Sequence, residues 1–466
     1  MACNARRGQA LMETVFDHGA SGDGTTDDTA AFQAAADAGH VFAPSHTPTG
    51  EPATYIITST INLSGGAVRI DGTVDATTMP AGATFDQAVV FKCEGAISAG
   101  PNIDSRISAG QTTFSIENTY QVGDLLLLEN DERPIPGIER ADRDKGEIKR
   151  VIETDGASFR TSSPTYFDYN PPSKISLIQP VKINFSGTGT IICGGVGSGH
   201  SAIFIKFGIR PTISGLTILN AEDVGASLQF CWSPVVSNIQ VEGSTSPSYG
   251  STGYGIYLGG GTTAAVVTQC MFFNCRHGLA GNGRIPSLFC SVDRCFSDNA
   301  LLDSHEPCFE WQFFGNVIMG GNDGMLIRGQ HTDAIFNRFF GNSGTALRVK
   351  TWDLVTVQEG IRTVFNRIRA SGSGYSADGR STSSDPVSRK PGLVAFGDRV
   401  EQSGNANGAS VTITHATEAT VNVETRRNHG VKGVDILSSR LRELIALADD
   451  ALVPVSLSDS TVKRDK

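Results

Sequence analysis

The sequence predicts an all-β fold, a single-stranded parallel β-helix with an N-terminal capping helix and a small inserted β subdomain. Three observations lead there. Glycine fills 53 of 466 positions and charged residues only 18%, a balance that suits many short strands joined by tight turns. No apolar run can span a bilayer: the stretch 436–453 is broken by Arg440, Arg442, Glu443, Asp449 and Asp450. From Ile183 a coarse repeat appears, in which Gly or Ala opens an apolar run at Gly225, Gly255, Gly278, Ala300, Gly324 and Gly344. These starts are 30, 23, 22, 24 and 20 residues apart, about the length of a coil of three short strands and three turns. The uneven spacing excludes a hexapeptide-type solenoid.

The elements follow in order. Residues 15–33 read as a Gly/Asp turn running into a helix, with Thr26, Asp27 or Asp28 as N-cap and Ala30, Ala31, Ala34, Ala35 and Ala36 continuing to Gly39. This Gly19-Ala20-Ser21-Gly22-Asp23-Gly24-Thr25-Thr26-Asp27-Asp28-Thr29 segment resembles the opening signature of the pectate-lyase-like superfamily. There the motif covers the N-terminal end of a right-handed β-helix, so the resemblance implies that handedness here. Val41-Phe42-Ala43-Pro44, Tyr55-Ile56-Ile57 and Val68-Arg69-Ile70-Asp71-Gly72 read as the first rungs.

The texture changes at 105–176. Thr112–Ile116 and Val122–Leu128 look like two strands around a turn, expected to form a subdomain leaning on the solenoid as one wall of a groove. In the main repeat a second series runs Phe272/Asn274, Phe296/Asp298, Phe314/Asn316 and Phe340/Asn342, with Asn suited to bonding its neighbours above and below at a turn. Residues 370–392 are a Ser/Gly/Pro-rich loop. Val411–Thr414 and Val421–Glu424 alternate like strands, and Leu437, Leu441, Leu444, Ile445, Ala448 and Leu452 make one stripe of a helix ended by Pro454. The expected organisation is 1–46 terminal peptide and cap, 47–104 first rungs, 105–178 insert, 179–372 main solenoid, and 373–466 loop, strands and helix serving as end cover or oligomerisation element.

The net charge of −10 speaks against nucleic acid as a partner. Nine cysteines, seven of them between Cys193 and Cys308, include no Cys-x-x-Cys pair, so zinc is not expected and reduced buried thiols are. The Asp-rich turn at Asp23–Asp28 has the chemistry for calcium, but its acids sit where a helix N-terminus wants them, so capping is the reading taken and no metal or cofactor is expected. Arg6 and Arg7 have no apolar segment behind them, which predicts no secretory leader.

The densest polar constellation is Arg276-His277, then Asp303-Ser304-His305-Glu306, then Arg328, with Arg348 beyond. Two chemistries fit. A lyase acting on a uronate needs a base, a proton donor and a cation on the sugar carboxylate. His277 or His305 suits the proton transfers, and Arg276 or Arg328 the carboxylate. A hydrolase needs two carboxylates, for which Asp303 and Glu306 are the natural pair. Arg348 and the ring of Trp311 are expected to help hold the substrate. A salt-bridged outer face without catalysis is the competing reading. Polygalacturonase-like members of the superfamily carry Asn-Thr-Asp, Asp-Asp, Gly-His-Gly and Arg-Ile-Lys; this chain has Asn322-Asp323, Gly199-His200-Ser201 and Arg367-Ile368-Arg369 instead, so no family catalytic residue carries over.

What the resemblance implies is a bacteriophage spike, commonly trimeric, directed at bacterial surface polysaccharide and bound to other virion proteins. The expectation is therefore a virion protein, made in the host cytoplasm without membrane insertion, that binds and depolymerises such a glycan. A binding-only spike and a bacterial polysaccharide lyase or hydrolase are the alternatives. Attachment is expected through the short basic peptide ahead of Val15 or through the C-terminal region.

Overall fold

The computed structural model describes residues 13–84, 86–134, 143–245, 253–305, 307–350, 360–370, 373–378, 393–402, 411–414, 417–427, 434–437, 440–448, 455–458 and 461–462. Beyond Ser376 the strands are described as backbone, plus the side chain of Asp398. Among these residues no helix is long and apolar enough to cross a membrane.

One coil shows the plan. Val266–Thr268, Met271–Phe273 and His277–Asn282 are three successive strands, and Ser291–Asp293, Phe296–Asp298 and Leu301–Ser304 repeat them. Each strand pairs in parallel with its counterpart one coil on, so three columns rise through the molecule. The inward positions stack in register. Val267, Val292, Phe313 and Ala334 fill the first column, Phe272, Ser297, Ile318 and Phe339 the second, and Ile256, Leu279, Leu302, Met325 and Leu347 the third. With one exception, Ser297, they belong to a single apolar core, the strands burying side chains whose two-residue period matches the pleat.

Short strands need sharp corners, and left-handed residues supply them. Asn238, Gln269, Arg294, Gly315, Phe336 and Phe365 turn the chain from first to second column, all at φ between 50° and 65°. The residue after each corner points inward, giving Ile239, Cys270, Cys295, Asn316, Asn337, Asn366 and finally Asp398. The lower part of this stack is a buried amide ladder. Asn316 Nδ2 donates to Asn337 Oδ1 (2.9 Å), Asn337 Nδ2 to Asn366 Oδ1 (3.0 Å), and Asn366 Nδ2 to Asp398 Oδ1 (3.0 Å). Each side-chain oxygen also takes the backbone N–H of the preceding ladder residue, so amides that would be costly to bury alone satisfy one another. The cysteines Cys193, Cys231 and Cys290 are buried and free, and burial pushes their thiols up to about 12.

The helix Thr29–Asp37 lays Ala31, Phe32, Ala35 and Ala36 on the first coil. Its signature acts differently from a simple cap. Asp28 makes no capping bond; its carboxylate reaches back to accept the N–H of Ser21 (2.6 Å) and Gly22 (3.1 Å). Asp27 serves the helix start through Thr29 N–H (3.0 Å). Gly22 sits at φ 64°, with the rings of Phe16 and Tyr55 3.1 Å from where a Cβ would stand, so the turn requires glycine.

A six-stranded antiparallel sheet, from Ala96–Ile103 to Ser173–Gln179, interrupts the early coils. Phe114, Tyr120, Phe159, Phe167 and Tyr169 on it pack with Leu288 and Phe309 of the solenoid. The chain end departs from expectation. Val434–Leu437 and Arg440–Ala448 are strands, pairing in parallel with the preceding coil, where the sequence stripe predicts a helix. Leu441, Leu444, Ile445 and Ala448 are good helix formers, but an open ladder edge offers every backbone group a partner, and that tertiary offer outweighs propensities of a few tenths of a kcal/mol per residue. Leu452 and Pro454 lie outside the described residues.

Candidate functional site

The third-column strands Val224–Gln229, Tyr254–Gly259 and His277–Asn282 each carry a glycine as their second residue, which breaks the two-residue alternation. Gly255 and Ile256 both face inward, as do Gly278 and Leu279. A Cβ on Gly255 would stand 2.5 Å from the Gly278 carbonyl and 2.9 Å from Phe272, and one on Gly278 2.7 Å from Phe272. Two inward residues in succession leave Tyr254 and Tyr257, three apart, on the same outer face, and His277 with Ala280 likewise.

On that face a buried polar cluster forms. Asp303, at the position of Tyr257 two coils on, receives a two-pronged hydrogen bond from Arg328 of the following coil: Nε to Oδ1 at 3.0 Å and Nη2 to Oδ2. Asp303 is 0% and Arg328 3% exposed. The Ser304 hydroxyl accepts the N–H of Arg328 (3.2 Å) and Gly329 (3.3 Å), fixing the loop that carries the guanidinium. His277 stacks on Tyr254 with centroids 5.0 Å apart, and its Nδ1 lies 3.4 Å from Asp303 Oδ2 without hydrogen-bond alignment. Burial first, then the charges of Arg328 and Arg276, hold the imidazole well below its ordinary range, so it is neutral at pH 7. Tyr257 donates to the Asn282 carbonyl (3.2 Å), and the Asn282 side chain accepts from Arg143 Nη2 (2.8 Å), which arrives from the insert. The insert thus closes against this face.

Several expected roles change. Asp303 cannot act as a free acid or base, because both its oxygens are engaged and no surface reaches solvent. Arg328 likewise has its fork on Asp303 rather than on a substrate carboxylate. Trp311 is core, 1% exposed, its indole N–H donating to the Ser287 carbonyl (3.3 Å), so it offers no face to a sugar. His305 is half-buried at the strand end, and Glu306 lies outside the described residues. Arg276 is exposed and lines a separate cavity of about 360 Å³ with Asn274, Asn299, Asn322 and Asp323. Arg348 pairs with Asp323 at its edge (3.1 Å). The structure therefore gathers His277, Asp303 and Arg328, and sets Arg276 and Arg348 around a neighbouring hollow. Tyr254, Tyr257 and Arg143 escape sequence reasoning; the Tyr-Gly-Ile-Tyr run could have signalled the first two only if the double inward step were known.

A second feature lies at the corner between first and second columns. Phe314, Phe336 and Phe365 stand outward, 39%, 50% and 47% exposed. Phe336 meets Phe314 edge-on (5.7 Å) and lies flat on Phe365 (5.5 Å, 9°). Beside them Arg338 and Arg367 are direct ladder partners on the outer face, and Arg369 follows Phe340.

A core wound from three parallel columns with an antiparallel insert defines the class: a right-handed single-stranded parallel β-helix. Among solved structures it resembles the tailspike gp61 of Pseudomonas phage phi297 (TM-score 0.69, 14% identity, covering 97% of this chain and 81% of that one). It also resembles the tailspike gp49 of Pseudomonas phage LKA1 (TM-score 0.61, 17%, 97% and 83%). A third is the gp54 tailspike of Acinetobacter baumannii phage AP22, solved with A. baumannii capsular saccharide (TM-score 0.51, 14%, 95% and 73%). No family model and no curated protein matches the chain.

Proposed function

We propose that the chain is a phage spike that grips bacterial surface polysaccharide along the outer face of its solenoid, as a homotrimer mounted on the virion. The observation that carries this is the row of exposed phenylalanines beside outward arginines. Phe336 and Phe365 occupy left-handed corners, at φ 56° and 52°, where Gly315 serves one coil earlier. A bulky residue there costs about 1 kcal/mol or more of backbone strain and leaves apolar surface in water. The contacts of these rings with one another offset part of that cost, and sugar rings stack on such faces. The likeness to tailspikes, one of them solved with capsular saccharide, agrees with it.

A second reading, cleavage of the same glycan, is favoured by His277. It is nearly buried and neutral at pH 7, the protonation state required of a proton acceptor. The test of both uses host capsular or exopolysaccharide. Phe336→Gly/Phe365→Gly should weaken binding about tenfold or more, at roughly 1 kcal/mol per ring, without lowering the melting temperature. Unsaturated product absorbance identifies a lyase, and reducing ends alone a hydrolase. His277→Gln and Glu306→Gln should each abolish either signal while binding survives. Unaltered binding by the double glycine variant defeats the gripping surface. Light scattering that gives a monomer mass at micromolar concentration defeats the trimer.

A further inference from the structure

At the seam between insert and solenoid lies a cavity of about 350 Å³ lined by Arg150, Lys182, Asn184, Ile209, Arg210 and Trp232. We infer that it is a subsite for an acidic sugar, binding one uronate-type residue of the polysaccharide by its carboxylate; this rests on the proposed glycan-binding function and names its chemistry. The walls come from three places. Arg150 is on the insert strand Lys145–Thr154. Lys182 and Asn184 flank Ile183 at the strand Ile183–Ser186. Ile209, Arg210 and Trp232 come from two successive corners, bridged Ile209 to Trp232 and by Arg210 N–H to the Trp232 carbonyl (2.7 Å).

Three features point to an anion. No acidic side chain lines the cavity. Arg150, Lys182 and Arg210 form no ion pair among the described residues, although Arg69, Arg160, Arg284 and Arg362 all do. Arg150 Nε is buried with no hydrogen-bond partner, a donor whose desolvation is uncompensated until something accepts from it. In a chain of net charge −10, three such cations around one hollow are a local field opposite to the whole. Two further features point to a sugar rather than a bare anion. Trp232 and Ile209 supply an apolar wall, and Asn184, whose Oδ1 accepts from the Thr212 hydroxyl (2.9 Å), keeps amide donors for ring hydroxyls. The volume is that of a small-ligand site rather than of a single ion.

The test titrates the full chain with glucuronate, glucose and inorganic phosphate, following tryptophan fluorescence, with Trp232→Phe to assign the signal. Glucuronate should give a saturable change at concentrations on the order of millimolar, lost in Trp232→Phe. Glucose should give none, and phosphate should bind at least tenfold more weakly. Lys182→Ala/Arg210→Ala, both exposed side chains, should weaken glucuronate at least tenfold with the melting temperature unchanged; if that pair loses stability, the single glutamine variants replace it. No saturable change in the wild type, or an unaltered affinity in the charge variants, overturns the subsite. Phosphate binding as tightly as glucuronate overturns its saccharide assignment. Glucuronate bound through these residues by a protein that ignores host polysaccharide would leave the subsite standing and overturn the polysaccharide reading instead.

Discussion

Asp398 closes the buried amide ladder with the one charged member of that stack, and replacing it with asparagine should stabilise the protein. Its Oδ1 takes both the backbone and side-chain N–H of Asn366, while Oδ2 is buried without a well-aligned hydrogen bond among the described residues. Burial raises its pKa from 3.8 to about 6, against the opposing hydrogen bonds from Thr363 and Asn366. A carboxyl whose folded value is raised favours the protonated fold. The stability it lends is complete below about 3.8 and is lost as pH climbs through about 6. At about 1.4 kcal/mol per pH unit this loss is about 3 kcal/mol at pH 7. Asp398→Asn keeps the acceptor for Asn366 and removes the charge, but places an amide donor where Oδ2 now stands, which offsets part of the gain. The expected net effect at pH 8 is about 1–2 kcal/mol of added stability, shrinking to zero or reversing near pH 4. Thermal melts of both proteins by circular dichroism between about pH 4 and pH 8 read it directly. A variant less stable than wild type at pH 8, or melting-temperature profiles that run parallel across this range, would refute the reasoning.

Two further predictions concern buried carboxylates. Asp303→Asn strands the Arg328 guanidinium in the interior and should cost about 3–5 kcal/mol, whereas Asp303→Asn/Arg328→Met should recover most of it; urea denaturation measures both, and unchanged stability in the single variant would restore Asp303 as a free catalytic carboxylate. Asp28→Ala removes two hydrogen bonds that tie the turn to the helix and should cost about 2–4 kcal/mol, more than an ordinary cap, with glycan binding intact; lost binding at full stability would place the signature in the site instead.

Much of the fold was legible because repetition multiplies weak signals. One Gly-apolar run means little, but six of them predicted the third-column strands beginning at Val224, Tyr254, His277, Leu301, Met325 and Thr345. The Phe/Asn series was less clean. Phe272, Phe296 and Phe340 belong to second-column strands, but Phe314 ends a first-column strand and Asn316 follows its corner. The two columns are only a corner residue apart, so a Phe-x-Asn spacing fits both. The C-terminal stripe failed for another reason. Leu441, Leu444 and Ile445 satisfy a helical period on their own, and nothing local records that an unfinished ladder waits beside them.

The site was harder to read because the decisive geometry is between coils. Asp303 and Arg328 are 25 residues apart, and their bidentate contact follows from the coil length and the Ser304 anchor, neither of which a motif expresses. Burial reversed the chemistry expected of them: a carboxylate and a guanidinium that would each serve catalysis at a surface must neutralise one another inside. What they then do is hold a neighbour. With Arg328 fixed by Asp303, its charge adds to burial in keeping His277 neutral, so the pair sets the state of the group beside it without touching a substrate. The outward surface obeys the opposite rule. Phe336 and Phe365 face solvent at strained corners where glycine would relieve the backbone, and Arg150, Lys182 and Arg210 form no ion pair among the described residues of a chain rich in acids. Inside the solenoid the ladder amides satisfy one another from coil to coil, Asn316 with Asn337 and Asn337 with Asn366, whereas these outer positions hold apolar rings and cations at the surface, and the proposed grip on a polysaccharide with acidic rings rests on that contrast.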